Sequence, residues 1–257
     1  MNNKADELKL KSTHFITPHG LDNDEHYTTA YDLAILTNYA LQNHIFSKIV
    51  KTKTYTININ GSPKNISNTN ELLGNLNGVY GVKTGFTNGA NRCLVTSCKR
   101  GDLDIICVVL GCDTKKFRTQ DSIKLINYVF KNFVVVNIEE FIDKNFEEWK
   151  LLHSSTFTID KGYSQILDLH LGKASMSYSS LAINKSDLDK ISTYISYTSS
   201  YSAPIPENSI IGTLDLRINN TTHFTLNIIN SNFVQKKSAF YYFYTLISNY
   251  FKYIKTT

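Results

Sequence analysis

The chain has 257 residues, of which 42% are hydrophobic and 19% are charged. These proportions are those of a globular protein and exclude extended disorder. The formal net charge is only +5 and the 27 basic residues are scattered along the chain, which argues against nucleic acid as a partner.

The first half of the chain alternates between helical and strand patterns. Residues 3–10 predict a short helix, and Thr28 or Thr29 can cap a second helix that reaches about residue 43. Alternating apolar residues then predict strands, the first two joined by a tight turn at Asn60-Gly61. The predicted strands cover residues 53–59, 64–67, 79–84, 92–98 and 104–110, and a helix over residues 119–133 follows them.

The pattern changes after about Val136, where helical periodicity gives way to short alternating runs separated by turn-rich stretches. This change predicts a small all-β domain, sandwich-like and antiparallel. Its predicted strands cover residues 163–169, 174–181, 210–218 and 223–229. We therefore expect three parts, over residues 1–135, 136–234 and 235–257.

The last part, residues 235–257, predicts an amphipathic helix. Six apolar side chains recur at helical spacing, and lysines lie near both ends. The apolar positions are Phe240, Phe243, Tyr244, Ile247, Phe251 and Ile254. This pattern favours a helix lying on a membrane surface, and the alternative is a helix docked on its own domain or on a partner.

The N-terminal residues give no signal for export. Residues 1–11 are polar throughout and lack the apolar core of a secretory signal. A run of 18 apolar residues, long enough to span a bilayer, is also missing from the sequence. Taken by themselves, these two observations predict a cytoplasmic protein.

The four cysteines lie close together in the sequence. None forms a C-x-x-C pair, and no histidine follows at zinc-finger spacing, so a zinc site is not expected. If the two apolar runs pair as a hairpin about residues 100–102, residue 98 faces 104 and residue 95 faces 107. In this register Cys93 and Cys107 are not directly opposite each other, so the cysteines are interpreted as small buried apolar residues rather than a disulfide. They are Cys93, Cys98, Cys107 and Cys112.

The tripeptide Lys83-Thr84-Gly85 ends a predicted apolar strand. A lysine ammonium supplies a positive charge beside a substrate carboxylate, and a threonine hydroxyl can donate a hydrogen bond to it. Glycine lets the strand backbone approach the acyl group. A backbone N–H just beyond the tripeptide can then help to hold an oxyanion. The tripeptide alone is a weak signal, and only the sequence around it makes such a role specific.

Several stretches around this tripeptide are similar to serine-type D-alanyl-D-alanine carboxypeptidases, the low-molecular-mass penicillin-binding proteins of peptidase family S11. They are LKLKSTHF at residues 8–15, PHGLD at 18–22, YTTAYDLA at 27–34, NELL at 70–73 and VYGVKTGFT at 79–87. The resemblance covers essentially the whole chain and is strongest over residues 8–133. It implies an α+β fold: the C-terminal part of a β-lactamase-like transpeptidase domain with an antiparallel sheet and helices, followed by a small all-β domain and an amphipathic helix.

The resemblance also implies roles for individual residues. Lys83 would bind substrate and hold a serine of the family's middle motif, Thr84 would contact the terminal carboxylate, and Gly85 would line the cleft. The N–H of Phe86, where relatives often have histidine, would form half of an oxyanion hole. Arg118 would assist carboxylate binding, the alternative being a surface arginine at the start of a helix. His14 and His19 match family positions and are interpreted as structural, and neither a metal nor an organic cofactor is implied.

The motifs that supply the family's nucleophile do not occur in this chain. No serine has a lysine three residues later or an asparagine two residues later, whereas the reaction needs both S-x-x-K and S-x-N. In the family both motifs precede this region, so we expect an N-terminally truncated enzyme that carries no catalytic residue and is inactive and aggregation-prone alone.

The resemblance further implies partners and a location. The substrate would be a peptidoglycan stem peptide ending in D-Ala-D-Ala, and β-lactams would bind only if the missing N-terminal part completed the site. The C-terminal helix would tether the enzyme to the periplasmic face of the bacterial inner membrane. Two alternatives stay open. One is a non-catalytic, membrane-associated binding or scaffold module, and the other is a β-lactamase, which usually lacks the trailing β domain and helix.

Overall fold

The computed structural model of the chain describes residues 1–173 and 179–256. It divides the chain into two compact units, Met1–Val134 and Val135–Thr257. In order, the elements of the first unit are α1 (Asn2–Glu7), α2 (Ala30–Leu41), α3 (His44–Lys51), β1 (Thr54–Ile59), β2 (Ser62–Ser67), β3 (Val79–Thr87), β4 (Asn91–Arg100), β5 (Leu103–Cys112) and α4 (Lys115–Asn132).

The core of the first unit is built on an antiparallel sheet with the strand order β3-β4-β5. One face packs on α4 through Leu94, Val109 and Ile126, among other buried residues. Val50, Val82 and Val95 form a second buried cluster, against which Leu33, Leu41 and Phe46 from α2 and α3 also pack. Strand β3 lies at the edge of this sheet, so one side of its backbone is open to a ligand.

The helix caps follow from local side chains. Thr29 caps α2 by accepting a hydrogen bond from the N–H of Asp32, in agreement with the predicted start of that helix. Helix α4 begins four residues earlier than predicted because Thr114 caps it at the N–H of Phe117. The sequence interpretation overlooked α3, which Asn43 caps in the same way.

The turn between β4 and β5 corrects the predicted hairpin register. Arg100 lies opposite Leu103, Thr96 opposite Cys107 and Cys98 opposite Ile105. The predicted pairs, 98 with 104 and 95 with 107, are therefore wrong by one residue. The connection between the strands contains two residues instead of the three assumed, and the length of the loop determines the register. Gly101 makes this tight turn possible with a positive φ of 59°.

All four cysteines carry free thiols. Cys98 and Cys107 are buried in the cluster under α4, and Cys112 packs at its border. Their interpretation as buried apolar residues therefore holds for Cys98 and Cys107, whereas Cys93 and Cys112 are half-buried.

The second unit contains, in order, β6 (Phe133–Asn137), which crosses its boundary, α5 (Ile138–His153), β7 (Thr158–Asp160), β8 (Leu169–Leu171), β9 (Ser180–Asn184), β10 (Ile191–Tyr197), β11 (Ser200–Ser202), β12 (Ser209–Ile218), β13 (Thr221–Asn230) and α6 (Ala239–Thr256). Its main sheet is antiparallel with the order β10-β12-β13-β8. The short strands β7 and β11 pair in parallel, an exception to the predicted antiparallel arrangement.

Helix α5 was not expected, since helical periodicity was thought to end at Val136. Ile138, Ile142 and Phe146 recur every four residues and are buried in the core of the unit. Asn137 caps the helix at the N–H of Glu140. The apolar face and the cap were both present in the sequence, but the strand-like runs that follow the helix were given more weight than either.

Two other predicted strands cover residues 163–169 and 174–181. Residues 163–168 form no strand in the described structure, because the Gln165 amide donates to the carbonyl of Ile159 and accepts from its N–H. These side-chain hydrogen bonds take the place of a strand ladder. The predicted strand over residues 174–181 begins with residues that lie outside the described ones.

Helix α6 exposes a large apolar surface. Phe240, Phe243, Tyr244 and Phe251 are all exposed, and the side chain of Ile254 lies outside the described part of the chain. Over the described residues, no helix is long and apolar enough to cross a membrane.

Candidate substrate-binding site

A cavity of about 1080 Å³ opens on the edge strand β3 of the first unit. All five residues predicted to bind substrate line it, although Arg118 comes from α4 and the others from β3. They are Lys83, Thr84, Gly85, Phe86 and Arg118. The fold thus brings together residues that lie more than 30 positions apart in the sequence.

The strand pattern places the lysine on the open side of β3. Val82 is buried in the core and Lys83, the next residue, is exposed, because side chains alternate between the two faces of a strand. The ammonium group of Lys83 donates to the carbonyl oxygen of Thr84 at 2.5 Å. The lysine therefore lies along the strand, beside the threonine of its own motif.

Thr84 has a partner that the sequence interpretation did not find. Its hydroxyl oxygen lies 2.7 Å from that of Thr69, which precedes β3 and also lines the cavity. One of the two hydroxyls donates to the other, so the proton of the acceptor remains available to a ligand. No motif marks Thr69, since its relation to Thr84 arises only when the segment folds against the strand.

Phe86 is held by a neighbouring arginine. Arg92 lies opposite it in β4, and the guanidinium carbon lies 3.7 Å from the centre of the ring. This cation–π contact places a second cation at the cavity wall. No motif of the sequence points to Arg92.

Gly85 lies opposite Cys93 in the ladder. A Cβ added at Gly85 would lie 3.6 Å from the Cβ of Cys93, an ordinary contact distance. The sheet itself therefore does not require glycine at this position. The expected reason, close approach of a ligand to the strand, remains a prediction.

Arg118 is buried, with only 4% of its side chain exposed, so the alternative of a surface arginine is wrong. Its Nη2 donates to both carboxylate oxygens of Glu71, at 3.2 and 3.4 Å. Glu71 also accepts from the Lys115 ammonium at 3.0 Å and the Thr119 hydroxyl at 2.8 Å. Within the described residues, Nε of Arg118 is buried without a hydrogen-bond partner.

The ionisation of Glu71 follows from these contacts. Burial raises the pKa of its carboxyl, but the Thr119 and Lys115 hydrogen bonds and the charge of Arg118 outweigh burial and lower the pKa overall. Glu71 is therefore an anion at neutral pH. Sequence reasoning missed this residue because it lies 47 positions from Arg118.

The opposite wall of the cavity comes from the loop before α2. His19 lines the cavity, and its Nδ1 accepts a hydrogen bond from the N–H of Leu21 at 3.2 Å. His14 has its Nδ1 2.7 Å from the carbonyl oxygen of Glu25. Both histidines thus hydrogen-bond within the loop. His26, which was not selected from the sequence, also lines the cavity.

The charged side chains at the cavity favour an anionic ligand. Its lining contains four lysine or arginine side chains and one carboxylate, that of Asp22. The four cations are Lys83, Arg92, Lys115 and Arg118. Among the described residues, no group of three metal-ligating side chains comes together.

Comparison with solved structures identifies the class of fold. The chain superposes on penicillin binding protein 6B from Escherichia coli with a TM-score of 0.63 at 25% identity, covering 89% of this chain and 58% of that one. Penicillin binding protein 5 from Haemophilus influenzae gives a TM-score of 0.63 at 24% identity, with 91% of this chain and 64% of that one covered. The predicted α+β fold of the penicillin-binding type is therefore confirmed.

Comparison of sequences identifies the family. Residues 1–114 match the family model of D-alanyl-D-alanine carboxypeptidase. D-alanyl-D-alanine carboxypeptidase DacF of Bacillus subtilis is 32% identical over 218 residues, which are 84% of this chain and 53% of DacF. DacC of Escherichia coli is 33% identical over 227 residues, 85% of this chain and 51% of DacC. The chain belongs to the D-alanyl-D-alanine carboxypeptidase family and spans about half the length of these curated relatives.

Proposed function

We propose that this chain forms the carboxylate-binding wall of a serine D-Ala-D-Ala carboxypeptidase active site. The complete enzyme would remove the terminal D-alanine from peptidoglycan stem peptides. The observation that carries the proposal is the placement of Lys83, Thr84 and Arg118 on one cavity whose lining has four cations and one carboxylate. A peptide ending in a free carboxylate is the ligand that such a wall would bind.

Each group has a task in this proposal. Thr69 and Thr84 share one hydrogen bond, which uses one of their two hydroxyl protons. The other proton would be donated to the terminal carboxylate. The charge of Lys83 would attract that carboxylate from the open side of β3. The N–H of Phe86 would face the oxygen of the scissile carbonyl, and the ring of Phe86 would stay against Arg92.

We further propose that the chain by itself forms no acyl-enzyme. In the family reaction a serine oxygen attacks the peptide carbonyl, D-alanine leaves with a proton, and water hydrolyses the resulting ester. In this sequence no serine is followed by lysine three residues later or by asparagine two residues later. A fluorescent penicillin should therefore leave the purified chain unlabelled after denaturing electrophoresis. A covalent band on this chain would contradict the proposal.

The binding function can be tested without catalysis. N-acetyl-D-alanyl-D-alanine titrated into the ¹⁵N-labelled chain should shift amide signals of residues 83–86 and 118. The variant Thr84→Val should weaken binding, because it keeps the shape of the side chain and removes the hydroxyl. Signals that stay unchanged at millimolar dipeptide would argue against a carboxylate-binding wall.

A second candidate, favoured by the exposed aromatic side chains of α6, is a non-catalytic binding or scaffold module on a membrane. We place either form of the protein on the periplasmic face of the bacterial inner membrane, with α6 lying on the lipid surface. The two candidate functions differ in the expected affinity of the cleft for the dipeptide. The carboxylate-binding wall requires such affinity, and a scaffold module does not.

A further inference from the structure

Glu71 belongs to the segment that precedes β3, and its carboxylate contacts the start of α4. The first turn of α4 contains no acidic residue of its own, although a negative charge is favourable at a helix N-terminus. Glu71 supplies that charge from outside the helix, since Lys115, Arg118 and Thr119 all contact its carboxylate. The contact also joins the segment that leads into β3 to helix α4.

The same carboxylate pairs with two of the four cations that line the cavity. It lies 3.0 Å from the Lys115 ammonium and 3.2 Å from Nη2 of Arg118. Lys83 and Arg92 do not contact Glu71 in the described structure. The group formed by Lys115, Arg118 and Glu71 therefore carries one net positive charge where two would otherwise face a ligand.

Arg118 nevertheless keeps capacity to bind. A guanidinium group has five N–H donors, and the hydrogen bonds to Glu71 come from Nη2 alone. Because the side chain is buried and held by Glu71, it loses little conformational freedom when a ligand arrives. A ligand carboxylate at Arg118 would have to lie near the Glu71 carboxylate, and like charges repel.

We propose that Glu71 sets the carboxylate affinity of this cleft, holding Arg118 in place at the wall while its negative charge weakens the binding of the peptide's terminal carboxylate. This inference rests on the proposed carboxylate-binding function and adds a residue that tunes it. Such weakening favours release of a product that itself ends in a carboxylate. Glu71 acts through Arg118 and Lys115 and is thus a positioning residue.

The test compares two ligands and three variants of the full chain by titration calorimetry. The ligands are N-acetyl-D-alanyl-D-alanine and its C-terminal amide, which has the same shape without the charge. Glu71→Gln removes the charge and keeps an oxygen that can accept from Arg118 and Thr119. Glu71→Asp keeps the charge. Glu7→Gln makes the same chemical change at an exposed residue of α1 that pairs with Lys4 and serves as the matched control.

We expect Glu71→Gln to bind the dipeptide about fivefold more tightly than the wild type, the effect of one charge a few ångströms away in a partly solvated site. The gain should shrink as salt is added and should be absent for the amide. Glu71→Asp should show no gain, and Glu7→Gln should match the wild type. Circular dichroism would establish that each variant is folded.

The outcomes separate the two proposals. If the wild type binds the dipeptide and Glu71→Gln binds it no more tightly, the role of Glu71 is overturned and the carboxylate-binding function stands. If Glu71→Gln increases the affinity for the dipeptide and for its amide equally, the role of Glu71 is also overturned, since the charge of the ligand would not be the cause. If neither protein binds the dipeptide, the proposed function fails and the role of Glu71 fails with it.

Discussion

The carboxylate of Asp22 accepts a hydrogen bond from the backbone N–H of Gly89 at 3.1 Å, joining segments 67 residues apart. Asp22 belongs to the loop that forms one wall of the cavity, and Gly89 to the turn that follows β3. The contact holds the loop of this wall against the turn after β3. A Cβ at Gly89 would lie 3.1 Å from Oδ1 of Asp22, so a larger residue there would require a small shift of the Asp22 side chain.

This contact predicts a pH dependence. The Thr87 side chain and then the backbone N–H groups of Gly89 and Asn88 lower the pKa of Asp22. Since a lowered folded pKa stabilises the folded state above the ordinary carboxyl pKa, the contact should persist at neutral pH and be lost as pH falls through the lowered value. The amide signal of Gly89 followed by NMR against pH should titrate below the ordinary range of an aspartate. In Asp22→Asn that titration should vanish; its persistence would assign the shift to another group.

Breaking the buried arginine pair should destabilise the first unit. Arg118→Met keeps much of the side-chain volume and should lower the free energy of unfolding by about 1–3 kcal/mol, because the hydrogen bonds to Glu71 are lost. Lys115→Met removes the exposed partner of the same carboxylate and should cost less than about 1 kcal/mol. Urea denaturation measures both. Equal losses in the two variants would show that burial of Arg118 is unimportant.

Helix α5 should contribute strongly to the stability of the second unit. Ile142 is fully buried, and Ile142→Ala should lower the free energy of unfolding by about 2–4 kcal/mol through lost burial and a cavity. Leu151, on the same helix, is 81% exposed, so Leu151→Ala should change it by less than about 0.5 kcal/mol. Thermal denaturation of the two variants would measure these changes in stability. A small loss of stability in Ile142→Ala would argue against the packing of this helix.

The thiol of Cys93 should react faster than the two buried thiols, Cys98 and Cys107. Burial raises the pKa of Cys107 to about 11 and that of Cys98 in the same direction, so neither supplies much thiolate at neutral pH. Cys93 is half-buried and lines the cavity. Mass spectrometry after brief maleimide treatment should find Cys93 modified before Cys98 and Cys107. Saturating N-acetyl-D-alanyl-D-alanine should slow modification of Cys93, and modification of Cys107 first would contradict the described core.

Helix α6 should carry the affinity for lipid surfaces. Serine in place of Phe240, Tyr244 and Phe251, all exposed, should abolish co-sedimentation with vesicles that contain anionic lipid. Serine in place of Leu151, Ile166 and Tyr194, which are exposed elsewhere in the same unit, provides the matched control and should leave sedimentation unchanged. Equal losses in both triple variants would show that α6 has no special part in binding.

Much of the fold followed from short-range patterns. Strands β3, β4 and β5, the turn at Asn60-Gly61 and the cap at Thr29 appear where the sequence predicts them, because alternation, turn residues and caps are local properties. The family could likewise be inferred from contiguous residues around Lys83-Thr84-Gly85. Helix α5 was missed although its signals were local, since the interpretation gave too much weight to the strand-like runs after it.

The environment of the site depended on residues far apart in the chain. The resemblance to the family placed Lys83, Thr84 and Arg118 among the candidates, but their partners Thr69 and Glu71 became apparent only in the folded chain. The register of β4 and β5 likewise depended on the length of one turn. Local patterns specify which residues can bind a carboxylate, whereas tertiary packing specifies which cations are already paired, because electrostatic interactions depend on distances between side chains that spacing along the chain does not reveal.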